Sequence, residues 1–148
     1  MLKGIPPLLG PELLHALRAM GHGDDIAIVD GNFPSASNAK RLVRADGHSA
    51  TEVLRAVLHL MPIDDMRPDP VRVMEVTEDP TSVPPIVGEF ERIASESERR
   101  ALRARALPRA DFYSAARNAY VIVATGESRL YGNVLVTKGV VAQVISER

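Results

Sequence analysis

Two short runs constrain this chain more than anything else in it: Ile26-Ala27-Ile28-Val29 and Tyr120-Val121-Ile122-Val123-Ala124. Each is continuous, apolar and rich in β-branched residues, with no polar residue at alternate positions. That pattern suits a strand covered on both faces, as in a parallel sheet sandwiched between helices, rather than a strand with one wet side. Helical periodicity lies between and around them. Gly10-Pro11-Glu12 opens a helix, because Pro is pre-shaped for the first turn and Glu complements the positive helix end; Leu13, Leu14, Leu17 and Met20 follow at helical spacing, and Gly21 and Gly23 stop it. Ser49 with Glu52 makes a capping-box pattern ahead of Val53, Leu54, Val57, Leu58 and Met61, and Pro62 ends that helix. Pro84-Pro85 starts a charged helix expected over residues 84–105, its charge run read as a solvated face, and a further helix is expected from Asp111 to Ala119.

Strands are expected at Arg41-Leu42-Val43-Arg44, around Val71, Val73 and Val76, at Val134-Leu135-Val136 and over residues 140–145. The alternation of helix and strand predicts an α/β fold: one three-layer domain over residues 1–148, with a mostly parallel, mixed sheet flanked by helices. The polar cluster from Thr125 to Asn133, lying between two apolar strands, reads by itself as a hairpin turn.

Composition narrows the chemistry. Eighteen Lys and Arg stand against nineteen Asp and Glu, for a net charge of −1. No basic block interleaves with aromatics, which argues against nucleic acid and membrane surfaces and favours neutral small molecules. The chain has no cysteine, so no disulfide, thiolate nucleophile or Cys-ligated metal can be built, as suits a reducing cytoplasm. No His pair has zinc spacing, and Gly21-x-Gly23 follows a helix and precedes a strand, the reverse of the dinucleotide order. Neither a metal nor a cofactor is expected.

Among the histidines, His15 and His59 fall on helix faces shared with charged residues and His48 sits in a turn. His22 differs, because glycines on both sides leave its ring uncrowded. By position it reads as an exposed helix-terminal histidine; by chemistry it is the best candidate base. Asp30 closes the first apolar strand, at the carboxyl edge where open α/β sheets bind ligands. Tyr131 and Asn133, separated by Gly132, could offer a phenol and an amide to a polyhydroxyl ligand.

Together, Leu2-Lys3-Gly4, Pro11-Glu12-Leu13-Leu14, Met20-Gly21-His22-Gly23-Asp24, Asn32-Phe33-Pro34, Arg44-Ala45-Asp46-Gly47, Leu60-Met61-Pro62-Ile63-Asp64, Val73-Met74-Glu75, Phe112-Tyr113, Thr125-Gly126-Glu127, Leu130-Tyr131-Gly132-Asn133 and Lys138-Gly139-Val140 resemble, in order, the sugar mutarotase family that contains L-fucose mutarotase and D-ribose pyranase. Asn32-Phe33-Pro34 and Met74-Glu75 look closer to the fucose branch. The resemblance implies a ribose pyranase-like fold, a cytoplasmic setting and cofactor-independent interconversion of the α and β anomers of a monosaccharide, L-fucose foremost. It casts His22 as the proton-exchanging group and Asp30 as a sugar-binding acid that could also orient it. Tyr131 becomes a relay or ring-oxygen contact, and Asp64, Met74, Glu75, Arg109, Tyr113, Gly132 and Asn133 become substrate contacts. It also implies a homo-oligomer, decameric by analogy with bacterial members or smaller. Pyranose–furanose interconversion of ribose and non-catalytic sugar binding or transport are the competing readings.

Overall fold

The structure, a computed structural model, describes residues 1–142. The two apolar runs form β1 (Asp25–Val29) and β5 (Val121–Thr125), which pair in parallel in the interior of a six-stranded sheet, Ile26 opposite Val121 and Val29 opposite Ala124. Outside β5 lies β2 (Leu42–Ala45), also parallel. On the other side of β1 comes β6 (Val134–Thr137), antiparallel to it, then β3 (Val71–Met74) and β4 (Arg105–Leu107), giving the order β2-β5-β1-β6-β3-β4. Five strands thus point one way and β6 the other, as a mostly parallel mixed sheet requires.

Alternation along the strands divides the core into two layers. On one face Ile26, Ile28, Val121, Val123, Val134 and Val136 meet α1 (Pro11–Ala19), α3 (Ala50–Leu60) and α4 (Pro85–Glu98), through residues such as Leu13, Leu54 and Phe90. On the other, Ala27, Val29, Ile122 and Leu135 meet Phe112 and Ala116 of α5 (Arg109–Asn118), with Phe33 just before the one-turn α2 (Ser35–Asn38). The capping box forms as read: the Ser49 hydroxyl accepts the Glu52 N–H at 3.2 Å, and the Glu52 carboxylate accepts the Ser49 N–H at 3.0 Å.

Four local expectations are corrected. The helix expected over residues 84–105 ends at Glu98, because Arg99 turns left-handed (φ 55°) and the chain returns as β4. The charge run at residues 96–100 is a largely exposed face, as expected, with Glu98 half-buried where it accepts the Ile63 N–H at 2.8 Å. Glu91 accepts the Ala104 N–H at 2.8 Å and Ser95 Oγ the Leu102 N–H at 2.9 Å, stitching the returning segment to the helix. β3 stops at Met74, short of Val76. The segment between β5 and β6 is no hairpin, since the two strands flank β1 and the connection crosses the end of β1. Of the strand expected over residues 140–145, the part up to 142 is not strand and the rest lies outside the described residues.

That crossing segment is pinned by Glu127. Its carboxylate, only 4% exposed, accepts the N–H of Ala50 at the start of α3 at 3.2 Å and is gripped by Arg129 through Nε (3.0 Å) and Nη2 (3.1 Å). The Arg129 hydrogen bonds outweigh burial and hold the carboxyl below the usual Glu range. A depressed folded-state pKa means that the native state binds fewer protons, so this stabilisation is present above about pH 4.3 and is lost as pH falls through the folded value. Glu127→Gln should therefore cost about 1–3 kcal/mol at neutral pH and flatten the acid limb of stability. Denaturant titrations from pH 7 down to 3 measure this; curves for variant and wild type that stay parallel would remove the carboxylate from the account.

Candidate active site

The residues singled out from the sequence gather at two places, one at each end of β1. At the end where β1 begins, α1 stops at Ala19 and the chain turns through Gly21-His22-Gly23-Asp24. Gly23 takes φ 88°, open to glycine and strained for other residues. Asp24 Oδ2 accepts the Gly21 N–H at 2.7 Å, closing the turn around His22. The turn is hung on the end of β6: the Gly23 N–H donates to Lys138 O (2.9 Å), the Lys138 N–H to Asp24 O (2.8 Å), and Lys138 Nζ caps the last turn of α1 on Leu17 O and Met20 O.

The His22 ring, 42% exposed, sets Nε2 3.0 Å from Oδ1 of Asp64, whose side chain is 6% exposed. Burial pushes the Asp64 carboxyl up, but the His22 ring and the N–H groups of Met66 and Arg67 outweigh it and hold the group below the usual Asp range. An ionised carboxylate can only accept, so Nε2 carries a proton toward Asp64, and in the neutral ring the lone pair is then on Nδ1. Asp64 is itself fixed, its N–H donating to Thr137 O at 3.0 Å. The backbone of Gly139 passes so close that an added Cβ would lie 2.9 Å from Asp64 N.

At the other end, Asp30 is 6% exposed and both of its carboxylate oxygens are engaged, Oδ2 by one donor only. Oδ1 accepts the N–H groups of Asn32 and Phe33, both at 2.9 Å, while Oδ2 accepts Asn133 Nδ2 at 3.1 Å and the Asp30 N–H returns a bond to Asn133 Oδ1 at 2.8 Å. Tyr131 adopts φ 60°, and its hydroxyl accepts the Thr77 N–H at 3.1 Å and donates to Glu78 at 3.4 Å. Gly132 beside it admits no side chain, because a Cβ would meet Glu127 Cγ at 2.7 Å. Tyr113 stacks on Phe33 at 4.9 Å between centroids, and Arg109 lies over Tyr113 and donates to its hydroxyl at 3.3 Å. Met74 packs with Phe33, Tyr113 and Tyr131 in one cluster, and Glu75 follows it, its N–H bound to Leu107 O. Asp30, Met74, Glu75, Arg109, Tyr113, Tyr131, Gly132 and Asn133 thus share the carboxyl edge of the parallel strands.

His22 does not share it. Five residues of β1 stand between the two ends, roughly 16 Å at a strand's rise. The expectation that Asp30 could orient His22 is therefore corrected: Asp64 does so. Reading from sequence missed this pair because its members are 42 residues apart with no motif joining them. His15 and His59 are exposed, and half-exposed His48 pairs with Glu52 at 3.4 Å. Among the described residues no three His, Cys, Asp or Glu side chains come together as a metal site, and no helix is long and apolar enough to cross a membrane.

Fold and site together define a small α/β protein with an aspartate-oriented imidazole at one sheet edge and a hydroxyl-, amide- and carboxylate-bearing cluster at the other. The chain belongs to the RbsD / FucU transport protein family, which it matches over residues 3–141. It is 44% identical over 150 residues to the fucose mutarotase of Homo sapiens, covering 95% of each chain. The crystal structure of the fucose mutarotase in complex with L-fucose from Streptococcus pneumoniae superposes with a TM-score of 0.89 at 40% identity, covering 95% of this chain and 100% of that one. The Bacillus subtilis RbsD complexed with D-ribose superposes at 0.70 with 20% identity, covering 96% of this chain and 100% of that one, and shares the fold alone.

Proposed function

We propose that this protein is a mutarotase that interconverts the α and β anomers of L-fucose in the cytoplasm without a cofactor. The observation that carries the reading is the His22–Asp64 pair, an accessible imidazole held through Nε2 by a buried carboxylate, in a chain this similar to fucose mutarotases. Anomer exchange needs a base to take the proton of the anomeric hydroxyl and an acid to protonate the ring oxygen. The C1–ring oxygen bond then breaks to give the open aldehyde, C1 rotates, and the reverse transfers close the ring on the other face. A neutral imidazole fixed through one nitrogen can take the hydroxyl proton on the other and return it. Tyr131 serves as acid or relay, Asp30 and Asn133 hold sugar hydroxyls, and Glu75, Arg109 and Tyr113 line the same edge with Met74 as its apolar floor.

Because one chain keeps His22 away from Asp30, the reading requires a homo-oligomer in which His22 and Asp64 of one copy meet the sugar held at the Asp30 edge of the next. Ring-shaped assemblies, decameric or smaller, provide such head-to-tail contacts. Two measurements test it. Saturation-transfer NMR should show accelerated α–β exchange of L-fucose; pyranose–furanose exchange of D-ribose in its place would select the pyranase, and binding without exchange the carrier. His22→Ala and Asp30→Asn, each inactive alone, should recover roughly a quarter of the wild-type rate when co-assembled one to one, the share of interfaces that combine two intact halves. Co-assemblies that stay inactive would sink the shared site.

A further inference from the structure

Beneath the His22 turn lies a buried charge cluster that the proposed reaction does not use. Arg72, in β3, is 3% exposed, although its guanidinium carries a full charge in the interior of the sheet. A single nitrogen, Nη2, donates both to Asp25 Oδ1 (2.6 Å) and to Thr137 Oγ1 (2.9 Å), and the Thr137 hydroxyl in turn donates to Asp25 Oδ1 at 2.6 Å. The three residues sit on three adjacent strands, β3, β6 and β1, with Asp25 and Thr137 directly opposite each other. Neighbouring Asp69 is taken by Arg67 (2.7 Å) and Arg105 (3.0 Å), so it does not compete for Arg72. Among the described residues the Arg72 Nε is buried without a partner. With side-chain exposures of 4% for Arg72 and 17% for Asp25, the pair is a weak source of stability, because desolvation offsets its attraction, and in some proteins such pairs serve instead to specify one arrangement.

What this cluster can specify follows from its backbone. Thr137 O receives the Asp64 N–H, and the next residue, Lys138, exchanges hydrogen bonds with Gly23 and Asp24 on either side of its peptide. Both partners of the imidazole pair thus hang from the Asp25–Thr137 position, Asp64 through Thr137 and the His22 turn through Asp25 and Lys138. We propose that Arg72 is a positioning residue for the exchange reaction: by clamping Asp25 to Thr137 it fixes the separation of His22 and Asp64, and with it the ring tautomer that leaves Nδ1 free. This rests on the reading of His22 as the proton-exchanging group.

The test uses the whole protein labelled with 15N-histidine. In the wild type the His22 ring should show a single tautomer with the proton on Nε2. Arg72→Met keeps the apolar stem and removes the clamp; it should average the two ring-nitrogen shifts and slow L-fucose exchange about 10–10²-fold, the cost of a misplacement near 1 Å, while leaving L-fucose affinity unchanged. Arg72→Lys should recover most of both, because one nitrogen makes both contacts and the orphaned Nε disappears. Should Arg72→Met fail to fold, Thr137→Val removes only the bridging hydroxyl and should show the same averaging. An unchanged ring spectrum in the folded variant overturns the proposal, as does loss of rate with equal loss of affinity. A wild type that binds but never exchanges L-fucose would count against the function instead, since the ring spectrum reports the clamp without turnover.

Discussion

Replacing His22 with alanine should remove the catalysed exchange of L-fucose anomers, a fall of about 10²–10⁴-fold where general acid–base transfer by one positioned group is lost. The fold should be untouched. The ring is 42% exposed and its side-chain hydrogen bond goes to Asp64, which keeps the N–H groups of Met66 and Arg67 when the imidazole goes. Saturation-transfer rates beside a thermal melt separate the two effects. A variant that exchanges at the wild-type rate would take the imidazole out of the chemistry, while a lost rate accompanied by a collapsed melt would show that the turn, and not the base, had been tested. Asp64→Asn is a sharper companion, because an amide can donate as well as accept and so no longer dictates which ring nitrogen carries the proton.

The largest structural effect is expected at Gly126. A Cβ there would lie 1.9 Å from the backbone oxygen of Asp46 and 3.0 Å from its carbonyl carbon, and the Gly126 N–H is already bonded to His48 O at 2.8 Å. Neither neighbour is a side chain that can rotate aside, so Gly126→Ala must part the loop after β2 from the end of β5. The cost should reach or exceed about 3 kcal/mol, the upper end of overpacking penalties. The displacement would also carry Tyr131 and Asn133 away from Asp30, so sugar affinity should fall with stability. Gly88 provides the control. It lies exposed within α4 with nothing near its Cβ position, and Gly88→Ala should stabilise by about 0.8–1 kcal/mol through helix propensity alone. Denaturant midpoints for the pair should move in opposite directions; a tolerated Gly126→Ala would show that the loop contact is looser than drawn.

How far these features could be read in advance depended on how local their causes are. The central strands and the capping box were legible because a run of β-branched residues and a Ser-x-x-Glu spacing act over a few residues. The end of α4 was not, since only the left-handed turn at Arg99 distinguishes it from a helix continuing through the same charged composition. The crossing between β5 and β6 was misread for a related reason: apolar, polar, apolar describes a hairpin and a crossover equally well, and the choice is made by β1 lying between them. The site divides in the same way. Asp30 could be placed at the carboxyl edge from its strand end, and Tyr131 and Asn133 joined it only through the family resemblance, whereas the bond between His22 and Asp64 depends on the end of β6 bringing two distant loops together.

The lone antiparallel strand has a consequence for how the molecule is made. β6 occupies the slot between β1 and β3, yet it is the last strand of the described residues. Before residues 134–137 dock, the earlier strands can assemble only as two separate ribbons, β2-β5-β1 and β3-β4, each with an apolar rim of unsatisfied backbone groups facing water. Cooperative folding must wait for that closing insertion, and nascent or clipped chains lacking it present two sticky borders to one another, inviting strand exchange between copies.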